Sequence, residues 1–65
     1  MKVIVNGQER EVGVTNLREL VEELGFDVNR YVVVVNNEII PKSRVAEITL
    51  KENDDIEILT IMGGG

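Results

Sequence analysis

Residues 15–25 have the sequence TNLRELVEELG, and this stretch decides the fold. Thr15 is predicted to be the helix N-cap, and Gly25 is predicted to follow the last helical residue in the left-handed conformation. Between them, apolar residues recur at helical spacing: Leu17, Leu20, Val21 and Leu24. A lone amphipathic helix can bury such a stripe only on a sheet, so the pattern predicts an α+β fold.

The first strands of that sheet are predicted on both sides of the helix. Residues 2–5 and 8–12 are separated by Asn6-Gly7, which is the preferred pair for a two-residue type I′ hairpin turn. Residues 31–35 contain four consecutive valines and are typical of a central strand that is at least partly covered on both faces.

The second half of the chain completes the sheet. After a turn at Asn36-Asn37, residues 38–40 are predicted to form a short strand, which Pro41 ends because proline cannot donate to a strand ladder. Residues 45–50 are expected to be irregular or weakly extended, and residues 56–61 to form the last strand. We therefore expect a single domain over residues 1–62, with one helix on one face of a mixed sheet of four to five strands.

Composition limits the chemistry that the chain can perform by itself. The 65 residues carry a net charge of −5 and include no Cys and no His. Thiol nucleophiles, disulfides and thiolate metal sites are therefore excluded, and the side chain best suited to proton transfer near neutral pH is missing. We expect no catalytic residues and no metal site, and the acidic balance argues against a nucleic-acid partner.

The apolar segments are too short for a membrane or export function. The longest run, residues 31–35, cannot cross a bilayer, and residues 3–5 are far too short to form the apolar part of a signal peptide. The expectation is a cytoplasmic protein that is monomeric when free and has no membrane partner.

The C-terminal glycines are the most informative feature for function. Gly63, Gly64 and Gly65 can neither stabilise a strand nor fill a core, so residues 63–65 are predicted to be a flexible tail. Such a tail can carry the carboxylate of Gly65 into a narrow active site of another protein. There, adenylation by ATP would convert a carboxylate oxygen into a leaving group, and a sulfur nucleophile could displace AMP to leave a thiocarboxylate.

Three further stretches, together with the glycine tail, resemble those of a known family. Residues 2–7 (KVIVNG), 35–42 (VNNEIIPK) and 53–58 (NDDIEI), followed by Gly63-Gly64-Gly65, are similar to the ubiquitin-like sulfur carrier proteins of thiamine biosynthesis. The resemblance covers essentially the whole chain. It departs from the family at Asn53, where Gly is common, and at Met62, where Val is common.

The resemblance implies a ubiquitin-like β-grasp fold and the role of a protein co-substrate rather than an enzyme. It implies that a ubiquitin-activating-like enzyme adenylates Gly65 with ATP, and that a sulfur donor protein then supplies the sulfur of a thiocarboxylate. Thiazole synthase would accept that sulfur. The carrier itself would bind no cofactor.

Three other functions stay open at the level of sequence. The small subunit of molybdopterin synthase shares the fold and a Gly-Gly end, and ubiquitin-like protein modifiers share the same activated carboxylate. A plain interaction domain with an incidental tail is the third.

A docking surface for partners is predicted on the side of the sheet that the helix leaves open. If Ile56 and Ile58 point to the helix, Glu57, Leu59 and Ile61 point away from it, because side chains alternate along a strand. Val32 and Val34 would join them from the neighbouring strand. The predicted docking residues are Val34, Leu59, Ile61 and Met62.

Overall fold

The computed structural model describes residues 1–60. The elements, in chain order, are β1 (Lys2–Val5), β2 (Gln8–Glu11), α1 (Leu17–Glu23), β3 (Tyr31–Val35), β4 (Glu38–Ile40), a 3₁₀ segment (Lys42–Glu47) and β5 (Asp55–Thr60). The strand order in the sheet is β2-β1-β5-β3-β4. β1 and β5 are parallel, and the other neighbours are antiparallel. The predicted α+β architecture with a mixed sheet is confirmed at five strands.

Two tight turns fix the register of the two hairpins. Asn6 and Gly7 have φ values of 50° and 83°, and Asn36 and Asn37 have φ values of 51° and 70°. Positive φ at both central residues defines a type I′ turn, whose twist matches that of the flanking strands. The strands pair directly beyond each turn, with Val5 opposite Gln8 and Val35 opposite Glu38.

The helix begins one residue later than the sequence pattern suggests. The N-cap is Asn16, not Thr15, because the Asn16 side chain accepts hydrogen bonds from the N–H groups of Arg18 at 2.9 Å and Glu19 at 3.2 Å. The Asn16 amide also donates to the Ala46 carbonyl at 2.8 Å. One side chain therefore starts the helix and ties it to the 3₁₀ segment.

The end of α1 agrees with the prediction. Gly25 has a φ of 88°, and its N–H donates to the carbonyl of Glu22. The N–H of Phe26 donates to the carbonyl of Val21, which completes a Schellman motif.

The core lies between α1 and one face of the sheet. From the helix, Leu17, Leu20 and Val21 are fully buried. The sheet contributes Val3, Val5, Val33, Val35, Ile40, Ile56 and Ile58. Full burial of such a side chain stabilises the fold by roughly 1.5–3 kcal/mol, so this layer holds the small domain together.

The segment after β4 is more regular than predicted. Residues 42–47 form a 3₁₀ helix, so the expectation of an irregular or weakly extended segment over residues 45–50 is wrong for residues 45–47, and within the helix Val45 is 2% exposed. Leu50 is also buried, and Thr49 forms an isolated bridge with Asn16. These contacts close the core beside α1. No helix within residues 1–60 is long and apolar enough to cross a membrane.

Candidate functional site

The face of the sheet opposite α1 is the main candidate site. On β5, Ile56 and Ile58 point into the core, and Glu57 and Leu59 lie on the other face. The strand register places five residues there together, and we call them the open face: Val32, Val34, Ile39, Glu57 and Leu59. Two of them, Ile39 at 67% and Leu59 at 48%, are the most exposed large apolar side chains within residues 1–60.

The predicted docking residues fare differently in the structure. Leu59 is on the open face and exposed, as expected. Val34 is also on that face, opposite Glu57 and Ile39, but it is only 8% exposed, so the expectation of an exposed Val34 is wrong. A central strand position is covered by its neighbours on both sides, which strand alternation alone does not reveal. Ile61 and Met62 lie outside the described residues.

Ile39 is a candidate contact that the sequence analysis missed. Its neighbour Ile40 is buried in the core, so alternation along β4 already directs Ile39 to the open face. The signal was therefore present in the sequence, in the pair Ile39-Ile40 just before Pro41. An exposed Ile in a two-stranded edge hairpin contributes little to the core, which makes it a better candidate for recognition than Val34.

Carboxylates border the apolar part of the open face. Glu57 on β5 lies opposite Val34 on β3. Towards the β2 edge of the sheet, Glu9 on β2 lies opposite Ile4 on β1, and Ile4 in turn pairs with Asp55 on β5. Glu9 is held by Lys2 at 3.6 Å in an exposed ion pair. An apolar centre with a charged border is typical of a surface that binds another protein.

A buried carboxylate stabilises the start of β5. Asp54 is 8% exposed and accepts hydrogen bonds from the Lys51 N–H at 2.8 Å and the Asn36 side chain at 3.0 Å. The Asn36 oxygen in turn accepts from the N–H of Asp55 at 3.0 Å. These bonds join the β3–β4 turn to the turn before β5. Because both carboxylate oxygens of Asp54 accept hydrogen bonds, this buried side chain has a structural role.

A second side chain anchors the middle of β5. The Asn6 side chain, in the β1–β2 turn, accepts a hydrogen bond from the N–H of Ile58 at 2.9 Å. β5 is thus fixed by β1, by β3 and by the turns of both hairpins. Because residues 61–65 follow directly after Thr60, the strand that precedes the glycines is held on both sides by neighbouring strands and by side chains of both hairpin turns.

The predicted tail residues themselves, Gly63, Gly64 and Gly65, lie outside the described residues. Within residues 1–60, no three His, Cys, Asp or Glu side chains are grouped so that they could hold a metal ion. The candidate site is the open face, which lies beside the end of β5.

One helix on one face of a five-stranded mixed sheet, with a partly apolar opposite face, defines a protein of the ubiquitin-like β-grasp class. The family model that matches the chain is more specific, and it covers residues 3–65. The chain belongs to the ThiS family.

Relatives of known name agree with this assignment. The chain is 30% identical over 63 residues to the sulfur carrier protein ThiS of Thermus thermophilus, covering 97% of this chain and 98% of that protein. It is also 38% identical over 66 residues to a thiazole synthase of Paramagnetospirillum magneticum, of whose length it spans only 20%, with the whole of this chain covered.

A solved structure shows the same fold. The crystal structure of the thiamine biosynthesis protein ThiS from Geobacter metallireducens superposes with a TM-score of 0.86 at 32% identity, covering 100% of both chains. The resemblance to the thiamine sulfur carriers and the β-grasp prediction are thereby confirmed. Asn53, the departure from the family's Gly, has a φ of 70°, so the left-handed turn is kept.

Proposed function

We propose that this protein is a sulfur carrier of thiamine biosynthesis and that the carboxylate of Gly65 is the group that carries the sulfur. The observation that supports this most strongly is the family match, which continues through residue 65 and so includes the glycine tail. The near full-length similarity to the Thermus thermophilus carrier points the same way.

The proposed chemistry takes place on the terminal carboxylate and needs no side chain of the carrier. A carboxylate oxygen attacks the α-phosphorus of ATP and releases pyrophosphate, which leaves an acyl-adenylate on Gly65. A sulfur nucleophile then attacks the carbonyl carbon and expels AMP, so that a thiocarboxylate forms. A chain without Cys or His suits this division of labour, because the activating enzyme supplies the acid–base groups.

The tail gives the carboxylate its reach. Five residues follow Thr60, and an extended chain of that length spans up to about 17 Å, from roughly 3.3 Å per residue. Glycine backbone without a Cβ can pass through a tunnel that would exclude other residues. The domain can therefore stay outside the enzyme while its terminus reaches the nucleotide.

The open face is the proposed docking surface for the activating enzyme. Ile39 and Leu59 offer exposed apolar area, and Glu57 beside them offers a charge for a basic group of the partner. Apolar contacts at the centre of an interface carry most of the affinity, whereas the charged border sets orientation and association rate.

Thiazole synthase is the proposed sulfur acceptor. The similarity of the whole chain to a fifth of the length of a protein named thiazole synthase supports this pairing. The molybdopterin and protein-modifier pathways use the same activated carboxylate and are distinguished by the acceptor.

Intact-mass spectrometry tests the proposal. The chain is incubated with the activating enzyme of the same organism, ATP and a sulfur donor protein, and we expect one terminal oxygen to be replaced by sulfur. A variant that lacks Gly64 and Gly65 is the matched control, and we expect it to keep the fold but gain no sulfur. Adding thiazole synthase with its other substrates should return the terminus to a carboxylate.

Two results would contradict the proposal. Conjugates of the chain with lysines of other proteins, without a thiocarboxylate, would favour a protein modifier. Sulfur transfer to molybdopterin precursor but not to thiazole synthase would move the protein to the other sulfur pathway.

A further inference from the structure

Beside Thr60, the last described residue before the tail, the surface has a groove that adjoins the open face and extends beyond it. One depression is lined by Asn29, Arg30, Tyr31 and Thr60. A second, which shares Asn29 and Tyr31, continues towards the edge strand, and its lining includes Val28, Ile39, Pro41 and Lys42. We call the two together the tail-base groove.

The wall of the groove is held in place by local bonds. The Asp27 carboxylate accepts a hydrogen bond from the Asn29 N–H at 2.8 Å, and the Asp27 carbonyl accepts one from the Arg30 N–H at 2.9 Å. The Tyr31 ring meets Phe26 edge to face, with ring centroids 4.9 Å apart. A binding surface of this kind costs little ordering entropy when a partner arrives.

The charge of the groove is opposite to that of the protein. The chain has 12 acidic and 7 basic residues, yet the two charged side chains that line the groove are Arg30 and Lys42. The Arg30 side chain is 81% exposed and only loosely paired with Asp27, at 3.8 Å. Lys42 has no carboxylate within 4.0 Å among residues 1–60. Both cations are therefore available to an anionic partner.

We propose that the tail-base groove binds an acidic, extended segment of the activating enzyme, with carboxylates at Arg30 and Lys42 and an apolar side chain against Tyr31 and Ile39. This inference rests on the proposed function, since an enzyme that takes up Gly65 would meet the domain at the end of β5, where Thr60 lines the groove. The groove shares Val32 and Ile39 with the open face, so one partner can cover both surfaces without a gap.

The anion is a protein carboxylate rather than a phosphate of the nucleotide. The α-phosphorus must lie at Gly65, and an extended tail puts that residue up to about 17 Å from Thr60. Arg30 directly precedes Tyr31, which pairs with Thr60, so it lies at the base of the tail, whereas the nucleotide would be bound at the far end of the tail.

Charge reversal tests the proposal with a matched control in the same chain. We compare Arg30→Glu and Lys42→Glu with Arg18→Glu, which makes the same change of charge on α1 at an exposed arginine paired with Glu22. Affinity for the activating enzyme is measured by titration calorimetry at about 50 and 300 mM salt. We expect Arg30→Glu and Lys42→Glu to weaken binding about 10-fold at low salt and less at high salt, with Arg18→Glu within about 2-fold of the parent. Arg30→Gln, which removes the charge without repelling Asp27, should show a smaller loss.

Three outcomes would overturn the inference. The first is that both groove variants bind as Arg18→Glu does. The second is a loss that does not depend on salt. The third is that the groove variants react faster than the parent, which would mean that the cations hold the chain's own terminal carboxylate in the free protein. In parallel, pyrophosphate release is measured when the parent chain reacts with the activating enzyme and ATP. If pyrophosphate is released while the groove variants bind like the parent, this inference fails and the proposed function stands. If it never occurs, the proposed function fails as well.

Discussion

The two faces of β5 differ sharply although they alternate along one strand. Ile56 and Ile58 are 0% and 5% exposed beneath α1, whereas Leu59 on the opposite face is 48% exposed and Glu57 is open to solvent. The covered face supplies the stabilising core of a chain of only 65 residues, and the open face is the surface proposed for partners. Stability and recognition are thus assigned to alternate residues and can be changed separately by mutation.

Val34 shows where this division needs refinement. It faces away from α1, yet at 8% exposure it is nearly as inaccessible as the core, because β4 and β5 flank it on both sides. Position on the open face and availability to a partner are therefore different properties. The exposed apolar side chains on that face are Ile39, on the edge strand β4, and Leu59, near the end of β5.

The largest expected effect separates the two faces directly. Replacing Ile56 with Ala removes a fully buried side chain and should lower the free energy of unfolding by about 2–5 kcal/mol, from lost burial and the cavity left behind. Leu59→Ala, three residues further along the same strand, is the matched control and should cost less than about 1 kcal/mol, because half of its surface is already exposed. Urea unfolding followed by circular dichroism measures both.

Equal losses for Ile56→Ala and Leu59→Ala would contradict the division. That result would mean that the open face is packed in solution, for example by self-association, and a dependence of the midpoint on protein concentration would identify this cause.

A smaller loss is expected where the Asp54 carboxylate joins the β3–β4 turn to the turn before β5. Asp54→Ala leaves the Lys51 N–H and the Asn36 amide without their acceptor and should cost about 1–3 kcal/mol. Asp55→Ala is the control, because the Asp55 side chain is exposed. Only the backbone N–H of Asp55 bonds to Asn36, and alanine keeps that N–H. Thermal unfolding of the two variants should therefore differ by several degrees, and identical midpoints would show that water replaces Asp54 without cost.

The open face is probed best by affinity rather than stability. Leu59→Glu should weaken binding of the activating enzyme about 10-fold, equivalent to about 1.4 kcal/mol, while the unfolding midpoint changes little. Gln8→Glu adds the same charge at an exposed position on the far edge strand and should bind like the parent. Unchanged affinity for Leu59→Glu would remove the open face from the interface and leave the tail as the main contact.

Most of the fold follows from patterns that extend over only a few residues. The stripe from Leu17 to Leu24, the Asn6-Gly7 turn and the valines of β3 each predict their element from local spacing, and the structure confirms them. The terminal residues Gly63 to Gly65 pointed to the carrier function in the same local way. Their role stays a prediction, since they lie outside the described residues.

The features that sequence reasoning missed depend on contacts between distant parts of the chain. Asn16 replaces Thr15 as the N-cap, and its amide also donates to the carbonyl of Ala46, thirty positions away. The burial of Val34 depends on two neighbouring strands, and the grouping of Arg30 with Lys42 depends on the antiparallel return of β4 towards the beginning of β3. Local spacing of residue types does not report these contacts, so the folded arrangement reveals them.

The smallest expected effect concerns the helix that creates the difference between the faces. Gly25 ends α1 with a φ of 88°, and a Cβ added there would meet nothing within 4 Å, so the cost of Gly25→Ala comes from backbone conformation alone. We expect a loss of about 1 kcal/mol in the free energy of unfolding. Gly13→Ala is the control: its surroundings are equally empty and its φ is not in the left-handed region, so it should be neutral or slightly stabilising.

Because Gly25 touches neither the open face nor the tail-base groove, affinity for the activating enzyme should not change once both proteins are folded. A weakened affinity without loss of stability would show that the covered side of the molecule also takes part in recognition, and the separation of the two faces would then have to be abandoned.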